Sequence, residues 1–188
     1  MPRAGLDRAT VVAAGAALAD ELGIANLTMN VVAERLGVRT PSLYKHIDGQ
    51  ADLNRRIAVL ALDEAGDAVG KAIQGLAGRD ALAATAHAFR AYVLEHPGRY
   101  AATIGAEPDG PDDPLTTAGA RLIDALTAVL RGYPIRPGDR DHALRALRSL
   151  LHGFITLQAS NGFQWSADID ESFEWLITFA DRGLRSGG

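Results

Sequence analysis

Residues 28–47 read T-M-N-V-V-A-E-R-L-G-V-R-T-P-S-L-Y-K-H-I, and this stretch predicts two short helices joined by a tight turn. Thr28 is placed to cap the first helix, because its hydroxyl can accept a hydrogen bond from an amide one turn ahead. Gly37 is placed to end that helix, since glycine tolerates the positive φ of a helix terminus. In the second helix Thr40 stands at the cap and Pro41 at the first helical position, where a missing N–H costs nothing.

The second of these helices is predicted to have one buried and one exposed side. At about 100° per residue, Leu43 and Ile47 share a side and form the apolar anchor, whereas Pro41 and Lys45 lie opposite them. A helix that is anchored by two apolar residues and presents a proline, hydroxyls and a cation outward suits the major groove of DNA. The alternative is a packing corner of any helical domain, and these residues alone leave both interpretations open.

Composition limits the class of protein. The chain has 188 residues, of which 47% are apolar, so it can bury a core in one domain or in two small ones. It has no cysteine, which excludes disulfides and thiolate metal sites and fits a reducing compartment. Residues 1–56 carry seven Lys/Arg and six Asp/Glu, for a charge of +1, whereas the other 132 carry twelve and seventeen, for −5. This balance permits DNA contact through the first segment only.

Apolar residues recur at three- and four-residue steps along most of the chain, which predicts an all-α protein of about nine helices. We expect a three-helix head in residues 1–50 and a helical body in residues 51–188. A long helix from about Gln50 to Leu76 would link the two. The segment 105–114, G-A-E-P-D-G-P-D-D-P, is interpreted as a solvated connector.

The first residues superficially resemble a signal peptide, with Arg3 and Arg8 before the apolar run T-V-V-A-A-G-A-A-L-A. That run is rich in alanine and continues directly into Asp20 and Glu21, so a helix that begins at an Asp7 cap is the preferred interpretation. No stretch approaches the roughly 18 apolar residues that span a bilayer. We therefore expect no membrane association and a cytoplasmic location.

The last two predicted helices, 139–161 and 168–185, carry the strongest apolar pattern in the chain. The second of them has aromatic residues on more than one side, and a helix that is apolar on several sides must be covered on several sides. The two helices can lie wholly in the core or can share their apolar surface between core and partner, and pairing with their symmetry mates in a homodimer is the preferred interpretation. The residues predicted for this interface are Leu144, Leu151, Phe173, Leu176, Ile177 and Ala180.

Taken together, the head, the linking helix and the all-helical body resemble TetR-type (tetracycline repressor-like) transcriptional regulators. The specific part is residues 28–47, whose sequence is similar to the DNA-binding motif of that family. The body resembles the family by the number and order of its helices. H-P-G-R-Y at 96–100 and L-H-G-F at 151–154 are similar to one subset of its C-terminal domains, in which a Trp often stands where this chain has Leu151.

The resemblance implies the DNA contacts residue by residue. Those expected to face base edges are Arg39, Thr40, Pro41, Ser42 and Lys45, and those expected to hold phosphates are Thr28, Tyr44, His46 and Gln50. Many relatives have a basic residue at the start of the fourth helix, whereas this chain reads D-G-Q-A-D at 48–52. We therefore expect a shallower salt dependence of DNA binding than for a strongly basic head.

The resulting hypothesis is a homodimeric repressor that binds a palindromic operator in double-stranded DNA and is released by an unidentified small molecule. Apolar or polar-tipped residues of the body helices are the candidates for the ligand pocket. They are Phe89, Tyr92, Tyr100, Leu122, Leu126, His152, Ile155 and Gln158. His152 and Gln158 are the polar groups expected to orient a ligand, although for each of the eight a place in the core is the stronger interpretation.

Enzymes form the competing class, and the sequence does not favour them. Its five histidines are scattered without the spacing of a metal site, and it has neither a nucleophile elbow nor a glycine-rich phosphate loop. We expect no catalytic residues, no metal and no cofactor. A helical interaction module without specific DNA binding remains the alternative.

Overall fold

The computed structural model describes residues 6–186, so Arg3 lies outside the described residues. Nine α-helices and no strand occur within that range, which confirms the predicted all-α class. The helices are α1 (Arg8–Leu22), α2 (Met29–Leu36), α3 (Thr40–Leu43), α4 (Gln50–Ala72), α5 (Gly78–Glu95), α6 (Pro97–Ala102), α7 (Pro114–Leu130), α8 (Arg140–Ala159) and α9 (Ile169–Ser186). Short 3-10 turns, Ile24–Asn26 and Pro137–Asp139, precede α2 and α8.

Local sequence signals account for the ends of α1. The Asp7 carboxylate accepts a hydrogen bond from the Thr10 backbone N–H at 2.8 Å, which is the predicted N-cap. At the other end Gly23 adopts a φ of 83°, a backbone conformation that favours glycine. Both termini of this helix are therefore set by residues within one turn of the end.

The chain forms two compact units. The first comprises the residues up to Glu64 together with Glu95–Gly119, and the second comprises Ala65–Leu94 and the residues from Ala120 onward. α4 and α7 each contribute to both units. These compact units cut across the predicted division at residues 50/51, because the first part of α4, α6 and the start of α7 group with α1–α3. The 50/51 division into DNA-binding and ligand-binding functions stays a prediction.

The first unit has its own apolar core between α1, α2, α3 and the start of α4. Its fully buried side chains include Val11, Val32, Leu43, Ile47, Leu53 and Ile57. Gly15 of α1 lies against this part of α4, since a Cβ on it would lie 3.0 Å from Leu53 Cδ1. In the second unit the largest buried side chains are Leu82, Leu147, Leu151, Ile155, Phe173 and Ile177, from α5, α8 and α9.

The interpretation of the acidic segment 105–114 as a solvated connector is wrong near its end. Arg55 of α4 donates through Nη1 to the Glu107 carbonyl oxygen at 2.8 Å, and its Nη2 contacts the carboxylate of Asp113. The Asp113 side chain is only 6% exposed, whereas that of Asp109 remains 89% exposed. The cation that holds the segment comes from more than fifty residues earlier in the chain, so the composition of the segment could not reveal it.

Candidate nucleic-acid interface

The α2–α3 corner has the caps that its sequence predicts. The Thr28 hydroxyl accepts a hydrogen bond from the Val31 backbone N–H at 3.3 Å. Gly37 ends α2 in the left-handed region, with a φ of 64° and a ψ of 31°. A Cβ at Gly37 would meet nothing within 4 Å, so it is the backbone conformation rather than space that favours glycine there.

The predicted second helix is shorter than expected, because α3 ends at Leu43 and continues as a turn in which the His46 and Ile47 backbone N–H groups donate to the Leu43 carbonyl oxygen. The anchor of α3 and this turn is nevertheless the predicted one. Leu43 is 0% exposed and Ile47 is 1% exposed, and both belong to the apolar cluster of the first unit. Full burial of such a side chain contributes about 1.5–3 kcal/mol. These two residues therefore determine which side of α3 faces away from the protein.

The opposite side of α3 and of the turn that follows it is open to solvent. Tyr44 is 54% exposed, and Pro41 and Lys45 are also exposed, as is Arg39 immediately before the helix. Of the other predicted contact residues, Thr28 is exposed, and Thr40, Ser42 and His46 are half-buried. Eight of the nine predicted DNA-contacting residues thus lie in this corner, five of them exposed and three half-buried.

The start of α3 differs from the prediction in one respect. Arg39, not Thr40, is the N-cap residue, and Thr40 is the first residue of the helix. The Thr40 hydroxyl donates a hydrogen bond to Asn30 Oδ1 of α2 at 2.9 Å. Because its proton is engaged by the neighbouring helix, the hydroxyl links α2 to α3 and leaves its lone pairs as acceptors.

Gln50, the ninth predicted contact, is placed less favourably. It is half-buried at the start of α4, and its Nε2 donates to Asn54 Oδ1 at 2.8 Å. That bond uses one of the two Nε2 hydrogens, and the second remains a donor. A phosphate contact at this helix start can therefore use this hydrogen together with backbone N–H groups.

Asp52 occupies the same end of α4. Its carboxylate accepts hydrogen bonds from the Asp48 backbone N–H and from Arg56 Nε, each at 3.0 Å. Burial by itself raises the pKa of Asp52, but these hydrogen bonds and the nearby arginine charges hold the pKa below its usual value. The carboxylate thus stays ionised and offsets part of the positive charge near α3.

α1 supports the corner through two side chains, Arg8 and Glu21, that the sequence did not connect with DNA binding. Arg8 Nε donates to the His46 carbonyl oxygen, after α3, at 3.1 Å. Glu21, near the other end of α1, binds Arg35 of α2 through both guanidinium Nη atoms, at 2.9 and 2.5 Å. The hydrogen bond from Arg35 lowers the pKa of Glu21. The partners in these pairs are 38 and 14 residues apart, so helical periodicity carries no signal for them.

The candidate pocket residues divide between the two units. Tyr100 lies in the first unit, and the other seven lie in the second. Phe89, Tyr92, Tyr100, Leu126 and Ile155 are buried, whereas Leu122, His152 and Gln158 are half-buried. Gln158 already has a partner, because its Oε1 accepts a hydrogen bond from Arg90 Nε at 2.8 Å. That bond gives Gln158 a structural role in joining α5 to α8, and a role in ligand binding stays a prediction.

Most of the predicted dimer residues belong to the core of the single chain. Phe173 is 0% exposed, Ile177 1%, Leu151 2% and Ala180 6%, whereas Leu144 and Leu176 are half-buried. A side chain with almost no exposed surface offers little to a second copy. Those four residues therefore belong to the core of the single chain. Apolar spacing predicts that a side chain is buried but does not say whether its own chain or a second copy covers it, and the position of the interface stays a prediction.

Three exposed aromatic residues of the second unit lie around one groove, and we call this surface the aromatic patch: Trp165, Trp175 and Phe179, which are 72%, 67% and 52% exposed. Trp175 and Phe179 stack with their ring centroids 5.4 Å apart. Phe179 also lines two open grooves, one of about 600 Å³ with His142 and Leu184 and one of about 420 Å³ with Trp165 and Trp175. Such a patch on α8–α9 is typical of a protein–protein contact surface.

Comparison with known proteins decides the family. The model of the family described as "Tetracyclin repressor-like, C-terminal domain" matches residues 82–180, just over half of the chain. The chain belongs to the TetR family. Its N-terminal corner is thus the helix-turn-helix of a TetR-type transcriptional regulator, and the resemblance noted in the sequence is confirmed.

Two relatives span nearly the whole TetR-type chain. The uncharacterized HTH-type transcriptional regulator YobS of Bacillus subtilis is 32% identical over 97% of this chain and 95% of its own length. The uncharacterized HTH-type transcriptional regulator Rv0681 of Mycobacterium tuberculosis is 35% identical over 96% of this chain and 83% of its own length. The protein is accordingly a helix-turn-helix transcriptional regulator.

A solved structure of similar fold comes from Acinetobacter baumannii AYE. It is a TetR variant in complex with minocycline, with a TM-score of 0.73 and 26% identity, and the match covers 97% of this chain and 99% of that one. Within residues 6–186 of the present protein, no group of three His, Asp or Glu side chains is arranged to hold a metal ion. No helix in the same range has the length and hydropathy needed to cross a bilayer.

Proposed function

We propose that this regulator is a repressor that binds a palindromic operator as a homodimer and is released when a small molecule binds its body. The observation that carries the proposal is the two-sided segment 40–47, which comprises α3 and the turn that follows it. Leu43 and Ile47 fasten one side to the core, and Pro41, Tyr44 and Lys45 stand exposed on the rest. Such a short, rigidly supported helix enters a major groove, and a second copy reads a half-site about one helical turn away.

We assign direct base reading to the exposed side of α3. Lys45 is the cation placed to donate to guanine O6 and N7. The Thr40 hydroxyl, whose proton is held by Asn30, reads a base donor such as the amino group of cytosine or adenine. Tyr44 and His46 contact phosphates at the groove edge, which positions the protein without specifying sequence.

We assign the dimer contact to the aromatic patch on α8–α9 and to the half-buried Leu144 and Leu176. The patch is apolar and exposed, and the two grooves share Phe179 and Leu150 and so form one continuous surface. A twofold contact places the same patch on both copies. Two heads on one dimer then match a palindromic site.

Release by a ligand requires the body to bind it differently in the DNA-bound and free states, because equal affinity for both states shifts nothing. The minocycline complex of the similar TetR supports a small-molecule effector but does not identify the one used here. Since the regulator must reach DNA, we place its action in the cytoplasm.

The test is selection of duplexes from a random-sequence pool by the full chain, followed by mobility-shift titration of the enriched duplex. We expect enrichment of an inverted repeat, bound at least about a thousandfold more tightly than random duplex. Screening small molecules for release of that duplex then tests the effector. Failure to enrich any sequence would contradict the repressor proposal and favour a helical interaction module.

A further inference from the structure

The first compact unit has an open groove between α1, α4 and the start of α7, and the proposed function does not use it. Its volume is about 760 Å³, larger than that of either groove beside Phe179. Apolar side chains and a few charged ones line it, a combination that is typical of small-molecule sites. The apolar lining residues are Ala9, Val12, Ala13, Val59, Leu60 and Pro114.

The α4 wall of this groove is one face of the helix. Its lining residues include Asp52, Arg56, Val59 and Asp63, which follow one another at steps of three and four residues. Seven residues separate Arg56 from Asp63, a rise of about 10 Å. The groove therefore has a cationic end at Arg56, an apolar middle at Val59 and an acidic end at Asp63.

Arg8 of α1 lies at the same end of the groove as Arg56. Its Nε donates to the His46 carbonyl oxygen at 3.1 Å. Asp52 accepts hydrogen bonds from the Asp48 backbone N–H and from Arg56 Nε, each at 3.0 Å. Because positions 46 and 48 belong to one turn of the chain, the two guanidinium groups lie close to the same short segment.

The terminal Nη groups of these two arginines are free to bind a ligand. Within residues 6–186, Arg8 and Arg56 each use Nε, and no hydrogen bond or ion pair engages their Nη1 or Nη2. Arg55, the third arginine of the groove, instead binds the Glu107 carbonyl oxygen and the Asp113 carboxylate. A guanidinium group donates two parallel hydrogen bonds to a carboxylate, so the free Nη groups suit that ligand group.

The charge at this end of the groove matches a ligand with one negative charge. Arg8 and Arg56 contribute two positive charges and Asp52 one negative charge, which leaves +1. A carboxylate neutralises this charge, whereas a phosphate monoester carries about −1.5 to −2 at pH 7. The acidic Asp63 disfavours an anion at the other end, so the ligand has one preferred orientation.

We propose that this groove binds an organic carboxylate with an apolar chain. The carboxylate accepts hydrogen bonds from the Nη groups of Arg8 and Arg56, and the chain packs on Val59 and Leu60. The site lies in the first compact unit, whereas the proposed function places its effector in the body. The proposal therefore goes beyond that function and adds a ligand site beside Arg8, the residue that supports the DNA-binding corner.

Octanoate is the probe, because its extended chain matches the rise of about 10 Å between Arg56 and Asp63. It is titrated into the full chain with methyl-labelled leucine and valine, and 1-octanol, which lacks the charge, is titrated in parallel. We expect octanoate to shift the methyl NMR signals of Val12, Val59 and Leu60. Its Kd should be at least about tenfold lower than that of octanol, because only octanoate forms charge-assisted hydrogen bonds.

Arg56→Gln should abolish the preference for octanoate over octanol, because it removes the guanidinium charge. Arg182→Gln, at an exposed position in α9, is the matched control and should keep the preference. Arg56 also binds Asp52, so the variant is first checked for cooperative melting. If it fails that check, Arg8→Gln takes its place, with the same expected loss.

Equal affinity of the wild type for octanoate and octanol would overturn the proposal. So would octanoate binding that leaves the signals of Val12, Val59 and Leu60 unchanged, or a wild-type preference in Arg56→Gln. Loss of the preference in Arg182→Gln would show that total charge rather than the groove decides, and tighter binding of octyl phosphate would contradict the carboxylate. These titrations contain no DNA, so their failure leaves the proposed repressor function standing.

Discussion

The hydroxyl of Tyr133 donates a hydrogen bond of 2.8 Å to Oδ1 of Asp181, and both side chains are buried in the second unit. The other carboxylate oxygen, Oδ2, accepts from Arg185 Nε at 2.9 Å. The hydrogen bond from Arg185, and secondly that from Tyr133, lower the pKa of Asp181 despite its burial. This arrangement fixes α9 to the segment after α7 in a way that depends on pH.

Replacement of Asp181 by Asn should change how the free energy of unfolding depends on pH in the acid range. A carboxyl group whose pKa is lower in the folded than in the unfolded protein stabilises fully above its ordinary pKa near 4, and this contribution is lost as pH falls through the folded value. We expect Asp181→Asn to lower the free energy of unfolding near pH 7 by about 1–3 kcal/mol. Below about pH 4 the difference from the wild type should shrink, as measured by urea unfolding across pH.

Tyr133→Phe tests the same pair from the other side. It removes one hydrogen bond but leaves the contact between Asp181 and Arg185. At neutral pH it should therefore lower the free energy of unfolding by less than Asp181→Asn does. Parallel stability curves of wild type and Asp181→Asn down to about pH 2.5 would show that the folded pKa is not depressed.

Arg8→Ala should weaken both stability and operator binding. It removes the hydrogen bond to the His46 carbonyl oxygen, which is worth about 1 kcal/mol, and leaves the end of α3 less firmly held. Thermal melting and mobility-shift titration of the selected duplex measure the two effects. Arg182→Ala, a change at an exposed position in α9, is the control for loss of a positive charge alone. If Arg8→Ala lowers the operator affinity no more than Arg182→Ala does, Arg8 does not support α3 in DNA binding.

Lys45→Ala should reduce binding of the selected operator more than binding of random DNA. A side chain that reads a base contributes about 1–3 kcal/mol to one sequence only, whereas a phosphate contact contributes to every sequence. The chain has just one other lysine, the exposed Lys71, and Lys71→Ala is therefore the natural control. Competition titrations with operator and random duplex provide the measurement. An equal loss on both duplexes would show that Lys45 contacts only phosphate.

Gly98→Ala should destabilise the first unit, because its Cβ would overlap the backbone of α1 at Ala19. Overpacking of this kind costs about 1–3 kcal/mol. Gly70→Ala, within α4, meets nothing within 4 Å and should instead stabilise by about 0.5–1 kcal/mol, through its better helix propensity. Chemical unfolding of both variants compares them directly. Similar effects from the two alanines would mean that the α1–α6 contact is looser than the structure has it.

Phe179→Glu should convert the dimer to a folded monomer, since Phe179 is 52% exposed and lies where the two grooves meet. Phe173→Glu should unfold the chain, because Phe173 is fully buried. Ile104→Glu changes an equally exposed apolar residue in the first unit, and this variant should keep the molecular mass of the dimer. Sedimentation equilibrium and circular dichroism distinguish these outcomes. A Phe179→Glu chain that stays dimeric would place the interface elsewhere.

The sequence alone determined the type and order of the helices and the two sides of α3. These features follow from residues within a turn or two of each other: the Asp7 and Thr28 caps, the αL glycine at position 37, and the spacing of Leu43 and Ile47. Local chemistry and helical periodicity suffice for them, and the motif they build was specific enough to indicate the family.

Only the tertiary structure decided which groups meet across the fold. Arg8 donates to the His46 carbonyl oxygen, 38 residues away, and the Asp20 carboxylate accepts from the Arg99 backbone N–H, 79 residues away. Arg55 binds an acidic segment whose composition predicts a solvated connector. On α8 and α9 the same apolar spacing describes core and surface alike, so only packing shows that Phe173 is covered by its own chain while Phe179 is not. The physical reason is that periodicity records which side of a helix avoids water, and the partner that excludes the water is set by distant parts of the chain.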